Sequence, residues 1–305
     1  MTYCVAMRLD EGLVFLADSR TNAGIDHVST FRKLTVFERV GERVITLMTS
    51  GNLAAGQAVR QLVSETREDD GTSIWTAKNM FAVARIVGDA VRKVRARDAA
   101  ALEDAGLEFT MSIILGGQIK GEHCRLFLVY SAGNFIEALN ESPYFQIGES
   151  KYGKPVLDRM ITPRSTLEEG AKCALVSMDS TMRSNLSVGL PLDLLCYEAD
   201  RLAVTRFAMI DAQNKYFRMI HDTWGEKLKQ VFAEIPDPTW DVAGSLEPAS
   251  AVPTRMAAFT PDGPTAVRAE PLRAPLPPDL PDAARADEHE TIQTLAEDTG
   301  VGPTA

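Results

Sequence analysis

The spacing of apolar residues changes abruptly at residue 53, and this change constrains the fold more than any other feature. Before it, the segments TYCVAMRL, LVFLADSR, KLTVFERV and ERVITLMTS are apolar or alternating, and glycine-containing turns join them in pairs. This pattern predicts two β-hairpins. After Ser50-Gly51-Asn52, apolar residues recur at helical spacing, which predicts a helix. These residues are Leu53, Ala58, Val59, Leu62 and Val63.

The same grouping of strands in hairpins and helices in pairs continues along the chain. A second long helix follows around Met80–Val94, and then the strands FTMSIILGG, CRLFLVYS and YFQIG. Two helices are predicted at about 150–161 and 166–183, two strands in PLDLLCYEA and LAVTRFAMI, and a last helix in NKYFRMIHDTWGEKLKQVFAEI. This order predicts an α+β fold, a four-layer αββα sandwich in which helices cover two stacked antiparallel sheets.

Composition changes near residue 244 and divides the chain into two parts. From Ser245 to Ala305 the sequence is rich in proline and acidic residues, contains no lysine, and has Phe259 as its single aromatic residue. Such a segment buries too little apolar surface to offset its ordering entropy. We therefore expect a folded domain over residues 2–243 and a disordered acidic, proline-rich tail over 244–305.

Charge and cysteine usage exclude several classes of function. A net charge of −10 argues against a nucleic-acid partner, because phosphate contacts require Lys and Arg. The four cysteines are scattered without a C-x-x-C pair, so we expect no metal site, no cofactor and a reducing compartment. No apolar run is long enough for a membrane span and no signal-peptide pattern opens the chain, so a cytoplasmic protein is expected.

Polar residues at the ends of the first strands form a candidate catalytic group. In a hairpin turned at residues 10–12, Thr2 and Asp18 lie near the same end, and Lys33 would join them if its strand ran beside the first two. Removal of Met1 would leave Thr2 with a hydroxyl nucleophile and an α-amine that acts as base. A nearby Lys lowers the pKa of the hydroxyl, and an Asp holds that Lys in place. Gly51, between a strand and a helix, is a candidate backbone donor for an oxyanion.

These residues resemble the proteasome-type N-terminal nucleophile hydrolases, and most of all their bacterial ancestral β-subunit branch, Anbu. The family pattern is an N-terminal Thr, an [AV]DSR.T.G strand, a Lys at the next strand and SG or GG before a helix. The chain carries Thr2, Ala17-Asp18-Ser19-Arg20, Gly24, Lys33 and Ser50-Gly51 in that order. The stretches TNAGIDHVSTFRKLTVFE and IGESKYGKPVLDR also look like that branch, and the match covers about residues 2–240.

The resemblance implies a threonine-type endopeptidase with Thr2 as nucleophile and base, Asp18 and Lys33 tuning it, and Gly51 lining the oxyanion hole. In RSNLSVG, Ser187 matches the serine of the family motif RDxxSGG, but Ser184 replaces its Asp. The family stretch GSG reads Gly148-Glu149-Ser150 here. Either Glu149 supplies the missing carboxylate, or the centre differs in strength or pH profile.

The resemblance further implies a substrate pocket at Asn22, Thr49 and Leu53, a peptide or unfolded-protein substrate, and a homo-oligomer in a ring or helical array. Two other functions stay open. One is an assembling scaffold with a vestigial site, and the other is an amidohydrolase that acts on a small molecule.

Overall fold

The computed structural model describes residues 2–23, 27–65 and 72–239. Residues 1–236 form one compact unit. The predicted tail at 244–305 lies outside the described residues, so its disorder and the domain boundary at 243 stay predictions. Within the described residues, no helix combines the length and the apolar character needed to cross a bilayer.

Two five-stranded antiparallel sheets form the centre of this unit. The first sheet has the spatial order β10 (Tyr144–Gly148), β1 (Tyr3–Leu9), β2 (Gly12–Asp18), β11 (Leu192–Glu198) and β12 (Arg206–Ile210). The second has the order β5 (Leu34–Arg39), β6 (Arg43–Gly51), β7 (Met111–Ile119), β8 (Arg125–Val129) and β9 (Phe135–Glu137). Strand β1 is flanked by β10 and β2, so the segment that follows Thr2 is held from both sides.

Within the described residues, five helices cover the outer faces of the two sheets, and each begins where the sequence offers a suitable cap or first turn. They are α1 (Leu53–Ser64), α2 (Met80–Asp104), α3 (Lys154–Met160), α4 (Leu167–Ser184) and α5 (Lys215–Glu234). Asn52 caps α1 by accepting a hydrogen bond from the Ala55 N–H. Helix α3 begins four residues later than predicted, because Pro155 suits the first turn of a helix.

Three buried apolar clusters join these elements into four layers. One cluster lies between the two sheets and includes Phe15, Met48 and Ile114. The other two pack α1 and α2 against the second sheet, and α3, α4 and α5 against the first. The predicted αββα sandwich of two antiparallel sheets is therefore confirmed.

The structure differs from the sequence-based predictions in two places that concern the site. A two-stranded ribbon, β3 (Arg20–Ala23) with β4 (His27–Thr30), follows β2 where no strands were predicted, because its short polar segments lack an apolar alternation. Strand β5 does not run beside β1 and β2, as the placement of Lys33 assumed, but belongs to the second sheet. Lys33 therefore reaches Asp18 from the facing sheet.

Candidate active site

Asp18 and Lys33 form a buried ion pair at the end of the two sheets. Asp18 is fully buried and Lys33 is 6% exposed. Lys33 Nζ donates hydrogen bonds to Asp18 Oδ1 and to the Arg20 carbonyl oxygen, each at 2.7 Å. The ammonium is thereby fixed between the end of β2 and the start of β3. A buried pair of this kind persists because each charge compensates the other.

The same Asp18 oxygen anchors the strand that carries Thr2. The backbone N–H of Tyr3 donates to Asp18 Oδ1 at 2.9 Å. Burial raises the pKa of the Asp18 carboxyl above its ordinary value, and the Lys33 ammonium together with the Tyr3 and Gly189 N–H groups opposes that rise. One carboxylate thus ties Lys33 to the chain segment adjoining Thr2.

The carbonyl of Thr2 is held from the opposite side by the end of β10. The Glu149 N–H donates to the Thr2 carbonyl oxygen at 2.7 Å. Gly148, which has φ +82°, lies so close that an added Cβ would be 1.9 Å from that oxygen. A side chain at position 148 would therefore displace Thr2, and the left-handed backbone there also favours glycine.

A cleft of about 140 Å³ opens beside Thr2 and collects five of the predicted site residues. These are Thr2, Lys33, Thr49, Gly51 and Leu53. Gly51 ends β6 with φ +102° immediately before the cap residue of α1, and an added Cβ would be 2.2 Å from the Thr110 carbonyl oxygen. The strand-to-helix step thus places backbone, with no side chain, at the wall of the cleft.

Glu149 and Ser187 do not line this cleft, but a hydrogen-bonded chain connects them. Asn185 Nδ2 donates to Glu149 Oε2 at 3.0 Å, and the Ser187 N–H donates to Asn185 Oδ1 at 2.9 Å. Sequence reasoning missed Asn185, although it lies inside the RSNLSVG stretch. Ser184, the residue that replaces the family Asp, is exposed at the end of α4. We refer to Glu149, Asn185 and Ser187 as the loop-side network.

Asn22 is the remaining predicted site residue, and Cys4 is a cysteine two residues after Thr2. Asn22 lies in β3 opposite Val28, and its side chain is outside the described part of the structure. Cys4 points into the core between the sheets, and burial raises the pKa of its thiol far above the ordinary value, so it is not poised as a thiolate. Among the described residues, no group of three or more His, Cys, Asp or Glu side chains is arranged to hold a metal ion.

The assembled groups suit acyl transfer. A hydroxyl, a buried ammonium fixed by a carboxylate, and a strand-to-helix backbone turn meet at one cleft. In acyl transfer, such groups would serve respectively as nucleophile, electrostatic stabiliser and oxyanion donor.

Solved structures with similar folds are available from several bacteria. Anbu (ancestral beta-subunit) from Yersinia bercovieri shares 47% identity over 79% of this chain and 100% of that chain, with a TM-score of 0.74. Anbu from Hyphomicrobium sp. strain MC1 shares 49% identity over 79% and 100% of the two chains, with a TM-score of 0.72.

A third structure, the helical assembly of the Anbu complex from Pseudomonas aeruginosa, shares 45% identity over 78% and 98% of the two chains, with a TM-score of 0.74. No protein-family model and no curated protein matches the sequence. Identity of nearly one half over the whole length of these relatives, together with the αββα sandwich, shows that this chain belongs to the Anbu family of ancestral β-subunits.

Proposed function

We propose that this protein is a threonine-type peptidase that uses Thr2 as an N-terminal nucleophile. The observation that carries the proposal is the buried Lys33–Asp18 pair, in which Lys33 lines the same cleft as Thr2 and Asp18 also binds the Tyr3 N–H. A fixed ammonium at this position favours ionisation of the hydroxyl and the neutral, basic form of the α-amine.

The reaction begins after processing has removed Met1 and freed the α-amine of Thr2. That amine takes the hydroxyl proton as Oγ1 attacks the carbonyl carbon of a peptide bond, and the Gly51 N–H stabilises the oxyanion that forms. The protonated amine then gives its proton to the leaving amine, and an ester on Thr2 remains. Water, activated by the same α-amine, hydrolyses the ester and restores Thr2.

The loop-side network has a supporting role in this proposal. We propose that the carboxylate of Glu149, which accepts a hydrogen bond from Asn185, replaces the family carboxylate absent at Ser184. Ser187 is proposed to orient the Thr2 amine, as its match to the family motif implies. In this proposal Thr49 and Leu53, which line the cleft, form the substrate pocket. The predicted contribution of Asn22 to that pocket stays a prediction. No metal or organic cofactor takes part in these steps.

We further propose that the protein works as a homo-oligomer on peptides or unfolded proteins in the cytoplasm. The Pseudomonas aeruginosa relative forms a helical assembly. On this chain, the C-terminal half of α5 exposes Leu228, Val231 and Phe232, an apolar surface that suits contact between subunits. Four free cysteines fit a reducing compartment.

A peptide library distinguishes this proposal from an assembling scaffold or a small-molecule amidohydrolase. The purified wild type and its Thr2→Ala variant are incubated with the library, and mass spectrometry follows the products. We expect cleavage by the wild type and none by Thr2→Ala. Assembly of both proteins without cleavage would favour the scaffold, whose support is the altered Ser184 position and the exposed α5 surface. Turnover of simple amides but not of peptides would favour the amidohydrolase.

A further inference from the structure

The cleft beside Thr2 is positively charged, although the chain as a whole is acidic. The chain has a net charge of −10. The described lining residues of the cleft nevertheless include the cations Arg32, Lys33 and Arg60, and none of these described lining residues carries a carboxylate. A local charge opposite in sign to that of the whole molecule raises the concentration of oppositely charged ligands at the site.

The three cations differ in how much of their charge is available to a ligand. Lys33 is compensated by Asp18 at 2.7 Å. Arg32 is more loosely held, since its Nε is 4.0 Å from Asp193 Oδ1 and its side chain is 58% exposed. Arg60 is exposed on α1, and no other described residue forms an ion pair with it. Arg60, assisted by Arg32, therefore supplies most of the uncompensated positive charge.

Thr2 and these arginines line one cleft, and its free space of about 140 Å³ can take a side chain. Gly56, one turn before Arg60 on α1, faces Thr49 so closely that an added Cβ would be 3.3 Å from Thr49 Oγ1. The absence of a side chain at position 56 keeps this space open. Leu47, Val59 and Ile113 line the apolar part, which suits the methylene groups of a bound side chain.

The carboxylates near Thr2 do not cancel this charge. Asp18 is fully buried and accepts a hydrogen bond from Lys33, and Glu149 accepts one from Asn185; neither carboxylate is among the described residues that line the cleft. Asp193 is buried, and its Oδ1 lies 4.0 Å from Arg32 Nε. An anionic group that enters the cleft therefore finds Arg60 and Arg32 among the described lining residues, and no described carboxylate beside them.

We infer that the cleft selects substrates with a carboxylate side chain, Glu above all, at the residue whose carbonyl carbon Thr2 attacks. The catalytic part of this inference rests on the proposed function. The preference for binding a carboxylate depends only on the charges that line the cleft. Guanidinium groups bind carboxylates with directional, charge-assisted hydrogen bonds, whereas they gain less from a neutral amide of the same shape.

The test compares substrates that differ in charge but hardly in size. Wild-type protein is given acetyl-Ala-Ala-Glu, acetyl-Ala-Ala-Gln and acetyl-Ala-Ala-Leu amides of one fluorogenic coumarin, and kcat/KM is measured for each. We expect the Glu substrate to exceed the Gln substrate by about tenfold at low ionic strength. The ratio decreases as salt is added, because ions screen the partly exposed guanidinium groups.

Variants locate the preference at Arg60. Arg60→Gln brings the Glu-to-Gln ratio to about one, and Arg60→Lys retains part of it, because the charge remains while the planar fork is lost. Arg85→Gln is the matched control, because Arg85 is exposed on α2 and does not line the cleft. That control keeps the wild-type ratio.

A binding measurement separates this inference from the proposed catalysis. The Thr2→Ala variant, with and without Arg60→Gln, is titrated with acetyl-Ala-Ala-Glu-amide and acetyl-Ala-Ala-Gln-amide. Preferential binding of the Glu peptide that depends on Arg60, without turnover by the wild type, would uphold the inference and refute the peptidase. Turnover that is equal for Glu, Gln and Leu would uphold the peptidase and overturn the inference. Absence of both preference and turnover would overturn both.

Discussion

Thr2 is held on two sides by regions that differ in burial and in chemistry. On the strand side, Asp18 and Lys33 are almost completely buried and share an ion pair at 2.7 Å. On the loop side, Glu149 and Asn185 are only partly buried and share a hydrogen bond at 3.0 Å. Water can replace a partner lost from the loop side, but it cannot easily reach a charge left alone on the strand side.

The difference in burial between the two regions predicts which substitutions the site tolerates. The strand side combines an anchor for β1 with the only buried ammonium among the residues lining the described cleft. The loop side contributes its N–H to the Thr2 carbonyl through the backbone, which is independent of the side chain at position 149. We therefore expect changes on the strand side to have larger effects than changes in loop-side side chains.

Replacement of the buried cation is expected to have the largest effect. Lys33→Ala removes the ammonium from the cleft and is expected to lower kcat/KM by about 10³-fold. It also leaves Asp18 without its counter-charge, which destabilises the fold by about 3 kcal/mol at neutral pH. Peptide turnover and urea unfolding measure the two effects. Lys78→Ala, at an exposed position before α2, is the control and keeps both values; a fully active Lys33→Ala variant would refute the role of Lys33.

The pH dependence of the same variant sharpens this result. Because the pKa of Asp18 is raised in the folded state, the folded protein binds that proton more tightly, and stability falls as pH rises through the raised pKa. Loss of Lys33 removes the ammonium that opposes this rise, so the folded-state pKa of Asp18 moves still further from its unfolded value. The melting-temperature deficit of Lys33→Ala is therefore expected to be larger at about pH 8 than at about pH 5. An equal deficit at both values would contradict an ionised Asp18 paired with Lys33.

A backbone change beneath Thr2 is expected to have an intermediate effect. Gly148→Ala places a Cβ against the Thr2 carbonyl oxygen and is expected to lower turnover by about 10²-fold, because small displacements of reacting groups are costly. Gly41→Ala is the matched control, since Gly41 also has a positive φ but no atom within 4 Å of an added Cβ. The control loses about 1 kcal/mol of stability and no activity. Equal activity losses in the two variants would show that strain, and not Thr2 position, is responsible.

Removal of the loop-side charge is expected to have the smallest effect. Glu149→Gln keeps an oxygen that accepts the hydrogen bond from Asn185, so stability changes little, and turnover decreases by about tenfold through loss of the charge. Glu141→Gln, at an exposed position before β10, is the control. A loss as large as that of Lys33→Ala would remove the distinction between the two sides. Wild-type turnover would show that Glu149 does not replace the carboxylate absent at Ser184.

The sequence predicts the strand side better than the loop side for a physical reason. A hairpin fixes which residues lie at its open end, so the proximity of the Thr2 segment and Asp18 follows from local pattern alone. The origin of Lys33 in the facing sheet does not, because strand order depends on contacts far apart in sequence. Asn185 lies in the loop after α4 and contacts Glu149 and Ser187. Arg60 lies on the face of α1 that lines the cleft. The spacing of apolar residues reveals neither placement.

The most direct test of the central claim is the reaction of Thr2 with a peptide epoxyketone. This electrophile closes a ring only with a residue that offers both a hydroxyl and a free α-amine, so it tests both parts of the proposed catalytic residue at once. Mass spectrometry of the digested protein is expected to show a mature N-terminus at Thr2 and one adduct on it, absent from Thr2→Ala. Retention of Met1, or a free Thr2 that forms no adduct, would contradict the account.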